Sequence, residues 1–237
     1  MTKKILPCFI LSRKNSKGLK NKNTYKFNNK PLIQHTIDFA KKSKNVTHIV
    51  ISTDDPKVVP IAKKNKCILI YPRPKYLSHD NSISLYALQH AAKYIIDMGY
   101  NFDIYGFLQI TEPLRPKFIL DKCIQKLKKN KKINSVFAGF TFRKNFWINK
   151  NKNFKIISPV IESTIPRQKR KIIYREDCGV SLASRKNVLL KKNKLYADPV
   201  SIIPYNSYEG ILDVHSKKDI LLGEYLSKYV TKKNNLY

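Results

Sequence analysis

The sequence is poor in glycine, with seven in 237 residues, and poor in acidic residues, with 16 against 47 lysines and arginines. It has no C-x-x-C pair, no Walker-type phosphate loop, no G-x-G-x-x-G turn, and no uncharged apolar run of the roughly 18 residues that span a membrane. Each absence excludes a class. Cys8, Cys67, Cys123 and Cys178 are too scattered for a zinc site or a dense disulfide framework, so reduced and mostly buried thiols are expected. Met1-Thr2-Lys3-Lys4 is basic, but the apolar run after it contains Pro7, leads straight into Ser12-Arg13-Lys14-Asn15, and has no small-residue cleavage site behind it. The expectation is a cytoplasmic protein with no membrane span. The net charge of +31 invites a nucleic-acid reading, yet the lysines are spread along the whole chain, with no basic helix, RNA-binding aromatic pattern or zinc-finger spacing. A dedicated nucleic-acid partner is therefore not expected, whereas attraction for polyanionic ligands such as nucleotides is.

With 42% hydrophobic residues the chain can bury one large core. Apolar segments alternate with amphipathic ones in the order of βαβ units, which predicts an α/β fold with a mainly parallel sheet flanked by helices. Strands are expected at 5–11, 46–52, 67–71, 103–109, 135–140, 178–183 and 200–205. Helices are expected from Pro31 to about Ser43 with Leu32, Ile33, Ile37 and Ala40 inward, from Pro56, over 84–98, from Pro116 to near Lys129, and over 216–229. From Thr141 to about Arg175 the periodicity breaks down. That stretch reads as an insertion, residues 141–175, in an α/β domain made of 1–140 and 176–237.

In an open parallel sheet, ligands bind beyond the carboxyl ends of the strands. After the first strand comes Ser12-Arg13-Lys14-Asn15-Ser16-Lys17-Gly18-Leu19-Lys20-Asn21-Lys22-Asn23, which offers cations, a hydroxyl and a flexible backbone to a triphosphate. Taken alone, those residues fit a solvated basic loop as well as a phosphate cradle.

Their arrangement, R-x-x-S-K-G-L-x-x-K-N after a first strand, resembles the signature of the acylneuraminate cytidylyltransferase (CMP-sialic acid synthetase) family. Further blocks follow in the family's order: Lys30-Pro31-Leu32-Ile33, Ser52-Thr53-Asp54-Asp55, Arg73-Pro74, Leu108-Gln109-Ile110-Thr111-Glu112-Pro113-Leu114-Arg115, Pro166-Arg167-Gln168, Tyr174-Arg175-Glu176-Asp177, and Asp213-Val214-His215-Ser216 to Asp219. The resemblance covers about residues 5–228. It implies a Rossmann-like nucleotidyltransferase fold, transfer of CMP from CTP to the anomeric hydroxyl of an acidic nine-carbon (nonulosonic) sugar, Mg²⁺ or Mn²⁺ as cofactor, and homodimerisation through the inserted subdomain.

By the same resemblance, Arg13, Lys22 and Asp213 are the candidate catalytic residues. Ser12, Arg13, Asn15, Ser16, Lys17, Lys22 and Asn23 would grip the nucleotide and its triphosphate, while Arg73, Asn81, Ser82 and Ser84 surround the cytidine. Gln109, Arg167 and Asp177 would face the acceptor. Asp213 would hold the metal, with His215 standing where the family has a second aspartate. Mg²⁺ prefers oxygen, so His215 is a poor replacement, and an N-cap-region role suits it equally well. Other departures bear on the acceptor: Glu112 replaces the usual Ser, Asp177 the usual Asn, Cys178 a Gly, and Ser181 stands where Tyr is common. An acidic Glu112 needs an amine, a hydroxyl or a metal beside it, which widens the acceptor to legionaminate, pseudaminate or a related sugar. Two other readings stay open, an eight-carbon acceptor on the same fold and a non-catalytic nucleotide- or nucleic-acid-binding module.

Asp55 before Pro56 reads as a helix cap rather than a metal ligand. His35, His48, His79 and His90 have no metal spacing. Phe146-Trp147-Ile148 is an apolar patch in a polar segment and suits a partner surface.

Overall fold

The computed structural model describes residues 2–14, 16, 18–79, 82–157, 165–207, 210 and 212–233; Asn15, Lys17 and Asn81 lie outside them. Nine strands carry the architecture. They are β1 Pro7–Ser12, β2 His48–Thr53, β3 Ile68–Ile70, β4 Ile104–Leu108, β5 Ser135–Phe142, β6 Trp147–Lys150, β7 Asn153–Ile156, β8 Ile173–Arg185 and β9 Val200–Tyr205. Between and after them run α1 Leu32–Lys41, α2 Val59–Lys64, α3 Ser84–Asp97, α4 Ile119–Lys129, α5 Lys186–Leu190 and α6 Lys217–Lys233.

Seven strands form one sheet in the order β9-β5-β8-β4-β1-β2-β3. The pairs β1–β2, β2–β3, β1–β4 and β5–β9 are parallel, and β8 runs antiparallel to both neighbours. The mainly parallel α/β fold expected from the pattern is what forms. Strand β1 is buried on both faces, so its residues alternate between two cores. Cys8 and Ile10 pack with Leu32, Ile33 and Ile37 of α1 and Ile124 and Leu127 of α4. Phe9 packs with Leu88, Ala92 and Ile95 of α3. Burying each of these Leu, Ile and Phe side chains contributes about 1.5–3 kcal/mol, so the i, i+4 spacing of α1 and α3 is what clamps helices onto the sheet. All four cysteines are free, three of them buried. Among the described residues no helix is long and apolar enough to cross a membrane.

Several boundaries differ from the sequence expectation, each for a local reason. Helix α2 starts at Val59, not Pro56, because a turn intervenes in which Val58 N donates to Asp55 O at 3.1 Å and Lys57 N to Asp55 Oδ1 at 3.0 Å. Helix α4 starts at Ile119, not Pro116, because Phe118 adopts a left-handed conformation, φ 60°. Strand β8 begins at Ile173, five residues ahead of Cys178, since Ile173–Asp177 pair with Ala138–Phe142 before a register shift between Asp177 and Leu182. Within 141–175, β6 and β7 make an antiparallel hairpin whose turn residues, Asn151 and Lys152, both have positive φ (53° and 66°).

The topology fixes where a ligand goes. From β1 the chain steps to β2 and β3 on one side, then returns to β4 on the other. The crevice lies beyond the carboxyl ends of β1 and β4, where the order reverses.

Candidate active site

A cavity of about 390 Å³ opens at that crevice. Arg13, Ser16, Lys22 and Asn23 line it from the basic loop, Arg73, His79, Ser82 and Ser84 from the stretch after β3, and Gln109 and Thr111 from the end of β4. The structure thus brings most of the sequence-predicted nucleotide residues to one place.

The loop is held by its own polar residues. Asn23 Nδ2 donates to Ser12 Oγ and to the Arg13 carbonyl, both at 2.8 Å. Ser12 is fully buried, and Asn23 nearly so, in a short 3-10 turn, Lys22–Thr24, entered through left-handed Asn21. Ser12 therefore anchors the loop rather than facing the cavity. Arg13 donates from a guanidinium nitrogen to the His79 carbonyl at 3.0 Å. Arg73 is nearly buried, fixed by its Nε to Ser78 Oγ at 3.2 Å and by Asp54 Oδ1 at 3.5 Å, which also accepts from Lys14 N at 2.9 Å. Asp54 is thereby a brace between the basic loop and Arg73, a role nothing in the local sequence announced.

The cations sit uneasily together. Burial holds Lys22 below its ordinary pKa; Asp213 opposes this and the Arg13 charge adds to it. Arg73 is lowered likewise by burial, with Asp54 opposing and Arg13 adding. Buried and half-buried cations that repel one another are stabilised by a polyanion, and a triphosphate is the ligand of matching charge and reach.

Segment 212–214 is irregular, so Asp213 and His215 do not alternate along a strand. Val214 N donates to Thr111 O at 2.8 Å, tying the segment to the turn that follows β4. A Cβ on Gly18 would collide with the His215 carbonyl oxygen, so only glycine lets the basic loop close on it. His215 Nε2 lies 2.9 Å from Asp213 Oδ2. Asp219 Oδ2 accepts from His215 N at 2.9 Å and Ser216 N at 2.7 Å, and Ser216 Oγ accepts from Asp219 N at 3.4 Å. That reciprocal pair is a helix-capping box, and it places His215 in the cap of α6.

Two residues expected at the acceptor do not line the cavity. Asp177 is buried, bound by Arg175 (2.7 and 3.1 Å) and accepting from the Tyr205 hydroxyl, an internal ion pair rather than a ligand group. Arg167 lies exposed on a short turn, Arg167–Lys169, within the inserted segment. Gln109 does face the cavity, with its backbone N donating to Gly179 O at 2.9 Å. Sequence reading missed Arg115. Buried on all sides, it donates to the carbonyls of Val180 (3.0 Å) and Gln109 and to Thr36 Oγ1 (3.4 Å), and so fixes the end of β4.

A cavity with cations at one wall, neutral hydrogen-bonding groups at another, and His215 with its Asp213 partner at its edge can hold a nucleoside triphosphate beside a polar acceptor. Residues 8–196 match the model of the family described as Cytidylyltransferase. The chain belongs to the cytidylyltransferase family. The pseudaminic acid cytidylyltransferase of Campylobacter jejuni is 32% identical over 148 residues, 61% of this cytidylyltransferase and 63% of that protein, so the match spans a little under two thirds of that relative's length. A CMP-N,N'-diacetyllegionaminic acid synthase of Legionella pneumophila is 24% identical over 218 residues, covering 92% of this chain and 94% of that one. In fold, the cytidylyltransferase resembles CMP:2-keto-3-deoxy-manno-octonic acid synthetase solved in complex with CTP, with a TM-score of 0.68 at 16% identity over 98% of this chain and 100% of that one.

A divalent cation is implied by the resemblance, and the donor set allows it in one form. Among the described residues no group of three or more His, Cys, Asp or Glu could hold a metal ion. Mg²⁺, however, is commonly held by one or two carboxylates together with substrate phosphates and water. The Asp213 carboxylate, exposed beside Lys22, fits that chemistry. His215, whose Nε2 is directed at Asp213, does not.

Proposed function

We propose that this cytidylyltransferase transfers CMP from CTP to the anomeric hydroxyl of a nonulosonic acid carrying acylamino groups, of the pseudaminic or legionaminic kind. The sugar oxygen attacks the α-phosphorus, the bond from that phosphorus to the bridging oxygen of the β-phosphate breaks, and pyrophosphate leaves with the electron pair while the hydroxyl proton is released. Arg13 and Lys22 bind the triphosphate and offset the charge that develops on it. Arg73, Ser82 and Ser84 surround the cytidine, and Gln109 meets the acceptor. A Mg²⁺ ion held by Asp213 and phosphate oxygens would add further charge neutralisation. The inserted segment joins two copies: Trp147 and Phe154 of its hairpin are 59% and 70% exposed, an apolar surface that suits a homodimer. A cytoplasmic location goes with the absence of a membrane-crossing helix among the described residues.

The observation that carries this reading is the convergence of Arg13, Lys22 and Arg73 on one cavity whose far wall is Gln109 and Thr111. The likeness of fold to the eight-carbon synthetase favours one alternative acceptor. Pyrophosphate release should be measured with CTP, Mg²⁺ and a panel of pseudaminic, N,N'-diacetyllegionaminic, N-acetylneuraminic and 3-deoxy-manno-octulosonic acids. Release with a nine-carbon acid and CTP, but not with ATP or UTP, is expected. Release with the eight-carbon acid alone would replace the acceptor, and salt-sensitive RNA binding with no release would remove the enzymatic reading.

A further inference from the structure

Glu112 is a side chain that the proposed reaction leaves without a task. It follows Thr111 at the end of β4, next to the cavity wall formed by Gln109, Ile110 and Thr111. Its Oε2 is buried and has no hydrogen-bond partner among the described residues, and the neighbouring Thr111 Oγ1 is in the same state. Leaving such groups unmatched costs about 1–3 kcal/mol each, so two in succession at a cavity edge call for a reason.

The surroundings do not supply the missing bond. The two guanidinium groups that act on Glu112 electrostatically are committed elsewhere. Arg115 donates to Val180 O, Thr36 Oγ1 and Gln109 O, and Arg175 to Asp177 and Gly210 O. The other two charges that reach it, Asp213 and Asp177, are carboxylates and repel its ionised form. Burial is the largest effect, pushing the carboxyl up to about 8, so the protonated acid is well populated near neutral pH and can donate as well as accept. Space has been kept for the group: at Gly179, on the bulged part of β8, a Cβ would meet the Glu112 carboxyl oxygens. A polar group without a partner, housed against a glycine and directly following the Gln109–Thr111 wall of the cavity, is arranged for a ligand rather than for the fold.

We infer that Glu112 is a specificity-determining residue, whose carboxyl completes its hydrogen bonding on an acylamino or hydroxyl group of the acceptor sugar. The inference rests on the acceptor reading proposed above. A sugar bearing a matching polar group at that position satisfies both partners, and one lacking it leaves the carboxyl unmatched, which is the strongest form of discrimination a polar site can exert.

The test uses the full chain, CTP, Mg²⁺ and the acid from the panel above that gives the highest kcat/KM. Glu112→Gln keeps a donor and an acceptor in the same shape, while Glu112→Met keeps the shape alone. The expected result is an acceptor KM raised at least about tenfold in Glu112→Met and held within about threefold in Glu112→Gln, with the KM for CTP unchanged in both. Glu112→Met should also melt no lower than the native protein, because it removes an unmatched buried acid. An unchanged acceptor KM in Glu112→Met, or a lower melting temperature with both KM values moving together, would overturn the inference and assign Glu112 to the fold. Should Glu112→Met fail to fold, Glu112 is likewise structural and the inference is overturned, and the Glu112→Gln kinetics then report only on the isosteric change. Absence of turnover by the native protein with every acid would overturn the acceptor reading itself, and this inference with it.

Discussion

Among single residues, Lys22 is where charge and burial meet most directly in the cavity. It is half-buried, within electrostatic reach of Arg13 and Asp213, and held below its ordinary pKa chiefly by burial. Charge-assisted contacts to phosphate contribute about 1.5–3 kcal/mol, so Lys22→Ala should lower kcat/KM for CTP by about 10–100-fold in steady-state assays. Cys8→Ala, at a fully buried thiol whose pKa burial lifts to about 12, should leave it unchanged. Glu112 yields a pH signature. Its carboxyl rises from 4.5 to about 8 on folding, so between those values the folded chain holds a proton that the unfolded chain lacks, and stability falls as pH rises. Glu112→Gln abolishes that slope. The melting temperature of Glu112→Gln relative to the native protein should therefore increase from pH 5 to pH 8.5, by about 2–4 °C for each kcal/mol recovered. Sequence could name Arg13, Lys22 and Asn23 because they fall within one motif. It could not show that Asp54 braces Arg73 from 19 positions away, nor that Asp177 is taken up by Arg175 and Tyr205, because those pairings exist only once strands and loops are assembled.

At the scale of elements, periodicity revealed what burial imposes and missed what turns decide. Helix α1 was legible because Pro31 precedes it and Leu32, Ile33, Ile37 and Ala40 share its inward face. The starts of α2 and α4 were each placed three residues early, since the Asp55–Val58 turn and the left-handed Phe118 follow from local geometry that an apolar pattern does not carry. Hairpin β6–β7 is invisible in the sequence because seven of its eight strand residues are exposed and only Ile156 is partly buried, so no alternation marks it. The contact of the basic loop with segment 213–215 is the element-level feature most open to test. Gly18→Ala should push the loop off the His215 carbonyl, raising the KM for CTP by about tenfold while moving the melting temperature little, measured by kinetics and thermal unfolding side by side.

For the whole molecule, a net charge of +31 around a cavity lined by Arg13, Lys22 and Arg73 creates a field that draws in anionic substrates. Screening by salt follows, and the KM for CTP should rise as ionic strength increases from about 0.01 M to 0.15 M, the range over which the Debye length shortens from about 30 to 8 Å. The proposed dimer is a second property at this scale. Trp147→Asp combined with Phe154→Asp should halve the mass measured by light scattering if the exposed hairpin joins two copies, and an unchanged mass would place the interface elsewhere. We propose that this cytidylyltransferase activates a nine-carbon acid with CTP. Mass spectrometry of a reaction holding CTP, Mg²⁺ and equal amounts of pseudaminic, N,N'-diacetyllegionaminic and 3-deoxy-manno-octulosonic acids tests it most directly. A CMP conjugate of a nine-carbon acid is expected as the main product; a conjugate of the eight-carbon acid alone, or no conjugate at all, would overturn the proposed function.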